Sequence, residues 1–137
     1  MRAFVDTSIL IRYLTGDPPE MLDAARQIVD EVESVALTDV VLAETAFVLL
    51  SVYGVPRSAI VDSLVELIRK ENIAIHELDK HVVVQALLLC RPSSRVSFAD
   101  AMLWAAARSA ATGEAPPVIY SFDQRFPAVG VDVRTRA

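Results

Sequence analysis

The chain has 137 residues, of which 53% are hydrophobic, and its formal net charge is −5. That length predicts one domain over residues 1–137. The apolar content indicates either a thoroughly buried sheet or a surface that another chain covers, so we expect a homodimer or a protein partner. The negative charge argues against nonspecific binding of nucleic acid through a basic surface. The single cysteine, Cys90, excludes an internal disulfide and a cysteine-rich zinc site.

No apolar stretch is long enough to cross a bilayer, and the N-terminus lacks a basic region followed by an apolar segment and a cleavage site. We therefore expect a cytoplasmic protein with no membrane contact.

Apolar periodicity, capping residues and breaking residues predict an alternation of strands and helices. In chain order they are strand 3–5, helix 8–14, helix 19 to about 34, strand 35–37, helix 40–52, helix 57 or 58 to about 70, strand 73–75, helix 79 to about 90, helix 97 to about 112, strand 118–120 and strand 131–133. This order is typical of an α/β fold with a mainly parallel sheet of four to five strands and helices on both faces.

Asp6 directly follows the first predicted strand, which we expect to be buried. In an open α/β sheet, ligands bind beyond the carboxyl ends of the strands, so an acid there points into the functional region. The alternative is that Asp6 only caps the next helix. Asp123 stands three residues after Tyr120, which ends the fourth strand, and we expect it at the same edge.

Glu44 is the only charged residue in the predicted helix 40–52, and its neighbours three and four positions away are Val40, Val41, Phe47 and Val48. This pattern predicts a carboxylate on an apolar, buried face, which is costly unless its charge is compensated. Asp100 is likewise the only acid of its helix, and we expect it on the buried side. Ser97-x-x-Asp100 also fits a capping box, so a purely structural role is an alternative.

Both helices would begin at the edge that carries Asp6 and Asp123, so the topology predicts that the four carboxylates converge on one crevice. Like charges that are close repel each other, and a divalent cation removes the conflict. Oxygen ligands select Mg²⁺, or Mn²⁺ as the alternative, over zinc. Metal-assisted hydrolysis of a phosphodiester follows as the reaction class, with nucleic acid as the substrate.

Four segments stand in order along nearly the whole chain: Val5-Asp6-Thr7-Ser8, the apolar helix with Glu44, Phe98-Ala99-Asp100-Ala101-Met102 and Tyr120-Ser121-Phe122-Asp123. Together they resemble the PIN-domain ribonucleases, and size and spacing are most similar to the VapC-type toxins of toxin–antitoxin pairs. The resemblance implies a PIN-like fold, Mg²⁺-dependent cleavage of RNA, a homodimer, and inhibition by a VapB-type antitoxin that covers apolar helices.

The resemblance also implies roles for single residues. Asp6 and Asp100 would be the main metal ligands, Glu44 would support the metal or its water, and Asp123 would complete the acidic site. Hydrogen bonds from Thr7, Ser8 and Ser121 would orient the acids or bound waters, although the family often has asparagine where Ser8 stands. From their places near the acidic edge, four arginines are candidates for phosphate contacts: Arg12, Arg91, Arg95 and Arg125.

Three other functions remain open from the sequence. A PIN-domain nuclease could process RNA without any antitoxin, and a PIN-like module could bind without cleaving. A haloacid-dehalogenase-like phosphatase also places a nucleophilic Asp after its first strand. That pattern requires a second Asp two residues later, where this chain has Ser8.

Overall fold

A computed structural model describes residues 2–137, and over that range the chain folds into five short strands and six helices. The strands are β1 (Ala3–Phe4), β2 (Val35–Leu37), β3 (Ile73–Ile75), β4 (Val118–Tyr120) and β5 (Asp132–Arg134). The helices are α1 (Thr7–Thr15), α2 (Leu22–Glu31), α3 (Asp39–Ser51), α4 (Arg57–Ile68), α5 (Lys80–Cys90) and α6 (Phe98–Ala110). None of these helices is long and apolar enough to cross a membrane.

The strands are parallel, as predicted, but they form two sheets instead of one. β1, β2 and β3 pair in that order, with Ala3 opposite Val35 and Val35 opposite Ile73. β4 and β5 form a separate pair, with Val118 opposite Asp132. A strand as short as β1 offers few backbone groups to a second partner, which accounts for the break between the sheets.

β2 is the central strand of the three-stranded sheet. Its three residues are all buried, and because successive side chains of a strand point to opposite faces, the sheet is covered on both sides. The predicted α/β class with helices on both faces is therefore confirmed. One apolar cluster joins residues from α1 through β5, in agreement with a single core.

β1 differs from the prediction of a buried strand. Both of its residues are exposed, Phe4 by 55%, and the Phe4 ring meets only the edge of His76 at 5.2 Å between centroids. β1 is an edge strand that pairs with β2 alone. A run of three apolar residues cannot reveal whether a neighbouring element covers it.

Four helices begin at the polar caps that the sequence offers: Asp6, Thr38, Asp79 and Ser97 each accept a hydrogen bond from a backbone N–H of the first turn. α2 begins at Leu22 and not at Pro19, because Met21 has a left-handed backbone with φ of 65°. α3 packs against α1 on one side and against α6 on the other. α3, which contains Glu44, therefore packs against the helix that Asp6 caps and the helix that contains Asp100.

Candidate active site

Asp6 is held in one orientation by the residue two positions later. Its Oδ1 accepts the backbone N–H of Ser8 at 2.7 Å and the Ser8 hydroxyl at 2.6 Å. Both bonds lower the pKa of Asp6, and the bond from the hydroxyl has the larger effect. The exposed carboxylate is ionised at neutral pH. Asp6 therefore does cap α1, but the cap occupies Oδ1 only. No protein donor within residues 2–137 occupies Oδ2.

Glu44 lies on the exposed side of α3, so the prediction of a buried carboxylate is wrong. Two of the apolar neighbours that suggested burial are themselves exposed, Val40 by 67% and Phe47 by 63%. α3 is apolar on its outer face as well as its inner face, and sequence spacing cannot separate the two. Within the described residues, no hydrogen bond or ion pair engages the Glu44 carboxylate.

Asp6 and Glu44 line the same cleft between α1 and α3, with a volume of about 490 Å³. The other lining residues are Thr7, Ser8, Ile11, Arg12, Asp17, Pro18, Val41, Val48 and Tyr53. The polar wall thus carries three acids and one arginine, and it favours a cation in the cleft. The convergence of Asp6 with Glu44 is what the topology predicted.

Asp100 lies in the first turn of α6 and is half-buried. Its backbone N–H donates to Ser97 Oγ at 3.0 Å, which is one half of the capping box. Asp100 does not line the cleft. The three residues before it line a neighbouring groove of about 350 Å³ between α3 and α6, and Glu44 lines that groove as well. Glu44 therefore lies between the Asp6 cleft and the start of the Asp100 helix.

Asp123 is exposed in the loop after β4, and its carboxylate supports the local turn. Oδ1 accepts the backbone N–H of Arg125 at 2.8 Å, while the Asp123 N–H donates to Ser121 Oγ at 3.0 Å. It lines neither the cleft nor the groove. Across residues 2–137, no three acidic, histidine or cysteine side chains are grouped as ligands of one metal. The joint action of all four acids remains a prediction.

The case for a cation cannot rest on the cost of burying these acids. We expected buried carboxylates at Glu44 and Asp100, whereas Glu44 is exposed and Asp100 is half-buried; Asp6 and Asp123 are exposed as well. The chemistry of the donor atoms, and not their burial, favours a cation here. Ionised oxygen donors at one cleft suit a hard cation, and Mg²⁺ uses as few as one or two protein carboxylates beside its waters. Asp6 and Glu44 meet that requirement.

The four candidate arginines are in different situations. Arg12 lines the cleft beside Asp6 and Glu44. Arg91 is engaged in two parallel hydrogen bonds of 2.9 Å to Asp62 on α4. Arg95 and Arg125 are exposed in loops. Only Arg12 is in the cleft.

Arg57 supports the segment that leads to Asp100 and was not predicted from the sequence. Its Nη1 donates to the carbonyl oxygens of Cys90 at 3.3 Å and Val96 at 2.9 Å, and its guanidinium lies 4.7 Å from the centre of the Phe98 ring. It thus ties both ends of the α5–α6 connection to α4. No local sequence pattern predicts that an arginine at the start of a helix makes these contacts. In the same way, no local pattern predicts that Asp17 and Tyr53 line the cleft.

Comparison with known proteins gives one match. The profile of the family described as PIN domain covers residues 3–132, and proteins with this domain are generally nucleases. The match favours the nuclease over the phosphatase among the functions left open by the sequence. No protein of curated function matches the chain.

Proposed function

This chain belongs to the PIN domain family, and we propose that it is a Mg²⁺-dependent endoribonuclease that serves as the toxin of a VapBC-type toxin–antitoxin pair. The observation that carries the proposal is the Asp6 carboxylate, ionised and oriented by Ser8, which faces a cleft shared with Glu44. The three residues before Asp100 line the adjoining groove.

The donor set fits a hard divalent cation, because it consists of carboxylates and hydroxyls without histidine or thiolate. Asp6 and Asp100 would hold the cation, Glu44 would support the cation or its water, and Asp123 would complete the acidic site. The bound cation would supply Lewis-acid stabilisation of the phosphodiester and offset the charge of the acids.

The side chains of the protein have separate tasks in this proposal. Ser8 keeps Asp6 in a fixed orientation by bonding to Oδ1, so that Oδ2 remains available. Glu44, whose carboxylate has no partner among the described residues, lies at the junction of cleft and groove, where it would accept a proton from the attacking water. Ser121 fixes the backbone of Asp123 through its N–H.

Exposed apolar residues support the homodimer and the antitoxin. Phe47 and Leu50 on α3 line the α3–α6 groove, and Leu103 of α6 is half exposed. An apolar face of this kind is typical of a surface that another protein covers. A PIN-domain RNA-processing nuclease without an antitoxin is the second candidate, and it requires only the acidic cleft.

The test is cleavage of single-stranded RNA in Mg²⁺ by the full chain and by Asp6→Asn and Asp100→Asn variants. Each amide keeps the shape of the acid and removes its charge, so we expect both variants to fold and to lose cleavage. Asp23→Asn is the matched control, because Asp23 is an exposed acid in the first turn of α2, away from the cleft. Cleavage at the parent rate by either site variant would contradict the proposal.

Two further measurements separate the candidates. Turnover of small phosphomonoesters through a phospho-aspartyl intermediate at Asp6 would indicate the phosphatase instead. A small DNA-binding protein encoded beside this chain, which binds it and suppresses cleavage, would distinguish a toxin from a processing nuclease.

A further inference from the structure

The α1–α3 cleft is larger than a metal site requires. A cation with six waters occupies roughly 200 Å³, at about 30 Å³ per water. The cleft has about 490 Å³ and extends from Asp6 and Glu44 to Asp17 and Tyr53. The remainder is close to the lower limit of pockets that hold small organic groups, about 300 Å³.

Arg12 is the only basic side chain among the described residues of the cleft wall. Its Nε is buried without a hydrogen-bond partner, and within residues 2–137 the guanidinium forms no ion pair. An arginine without an acceptor leaves strong donors unsatisfied. A phosphate oxygen would satisfy them, since the guanidinium matches phosphate in geometry and charge.

Three other arginines form bonds within the protein, and the Nε of one of them, Arg108, is buried without a partner like that of Arg12. Arg91 and Arg134 pair with Asp62 and Asp132, while Arg108 donates to the Gly130 carbonyl. Arg12 differs from these three because it faces a cleft that contains three acids and, within residues 2–137, forms a bond with none of them.

Tyr53 lies beside Asp17, at the end of the cleft away from Asp6 and Glu44, and its ring is held in place. Its hydroxyl donates to Asp17 Oδ2 at 3.0 Å, and the Asp17 N–H donates to Thr15 Oγ1 at 3.0 Å. A ring held in place by such a bond loses little conformational freedom when a base stacks on it. The Asp17 carboxylate repels a phosphate and accepts hydrogen bonds from an amino group, so this end suits a base.

We propose that this part of the cleft is a subsite for one nucleotide of RNA next to the bond that is cut, with its phosphate on Arg12 and its base against Tyr53. The inference rests on the proposed ribonuclease function, and it assigns Arg12 and Tyr53 to substrate binding rather than to metal binding.

The experiment measures binding of a single-stranded oligoribonucleotide to full-length Asp100→Asn protein by fluorescence anisotropy, over a series of KCl concentrations in Mg²⁺. Each phosphate contact contributes about 0.7 to the slope of log K against log salt. We expect Arg12→Gln to reduce the slope by about 0.7 and Arg12→Lys to restore it. Arg26→Gln is the matched control, since Arg26 is exposed on α2 and lines a different pocket.

The base contact is tested in the same assay at constant salt. We expect Tyr53→Leu to weaken binding about 5- to 150-fold, the range for loss of one stacked base. Tyr53→Phe keeps the ring and should retain most of the affinity. Circular dichroism and thermal melting verify that each variant is folded before its affinity is compared.

The outcomes separate the two proposals. RNA that binds the Asp100→Asn protein with a slope unaffected by Arg12→Gln, or affected equally by Arg26→Gln, overturns the subsite while the ribonuclease proposal stands. Full affinity of Tyr53→Leu also overturns it. If the Asp100→Asn protein binds no RNA and the parent cuts none, the proposed function itself is contradicted.

Discussion

Replacement of Arg57 by methionine tests how the segment before Asp100 is held. Methionine keeps part of the side-chain length but leaves the carbonyls of Cys90 and Val96 without their donor and removes the charge above the Phe98 ring. A hydrogen bond from a charged group contributes about 1.5–3 kcal/mol, and a cation–π contact about 0.5–2 kcal/mol. Because Arg57 is only half-buried, we expect a loss of about 2–4 kcal/mol of unfolding free energy.

For a domain of this size, that loss lowers Tm by roughly 6–16 °C. Thermal melting and urea titration measure it. We also expect Mn²⁺ to bind about 10- to 100-fold more weakly, the range for loss of a residue that supports a metal ligand. Arg57→Lys should fall in between, because the charge and one donor remain.

Arg91→Met is the matched control, since it removes an exposed ion pair from the same connection and should cost little stability. If Arg57→Met melts like Arg91→Met and binds Mn²⁺ like the parent, Arg57 does not support Asp100.

The remaining predictions concern two ionisable groups and the partly buried amide of Asn72. Ser8→Ala removes the bond from the Ser8 hydroxyl, which is the largest cause of the lowered pKa of Asp6, and keeps the bond from the Ser8 backbone N–H. A carboxyl NMR titration should therefore find the pKa of Asp6 higher than in the parent; an unchanged value would contradict the assignment. Since the folded-state pKa is the lower one, the stabilising effect of Ser8 is present above pH 3.8 and should vanish as the pH falls through the folded-state pKa of Asp6. Burial raises the pKa of Cys90 from 9.0 to about 11. Because the unfolded chain loses this proton first, the free energy of unfolding should fall as the pH rises between these values. Iodoacetamide should alkylate Cys90 only in unfolded protein, and rapid alkylation of the native chain at pH 8 would refute this. Asn72→Leu leaves the carbonyls of Val29 and Val32 without a donor and should cost about 1–3 kcal/mol in urea titration, whereas an unchanged midpoint would show that water replaces the amide.

The sequence predicts the elements of this fold well because local signals and packing agree. β2, β3 and β4 have the predicted bounds, and the helix caps at Thr38, Asp79 and Ser97 are those that the sequence offers. Polar caps, breaking residues and apolar periodicity all act within a few positions, so they can be recognised without knowledge of the tertiary contacts.

The predictions that fail depend on what lies across space. Phe4 and Glu44 both have apolar neighbours in sequence, yet both are exposed because no element covers that side of β1 or α3. The contacts of Arg57 with two carbonyls about thirty or more positions away have no local signal at all. At Asp6 the capping role that the sequence offers is confirmed and leaves the predicted functional role possible, since Oδ1 caps α1 and, within residues 2–137, Oδ2 accepts no hydrogen bond.

Calorimetric titration with Mn²⁺ in the absence of RNA is the most direct measurement of whether the acids hold a cation. We expect saturable binding by the parent, loss of that binding in Asp6→Asn, weaker binding in Glu44→Gln, and parent affinity in Asp23→Asn. Binding by Asp6→Asn with the affinity of the parent would contradict this expectation.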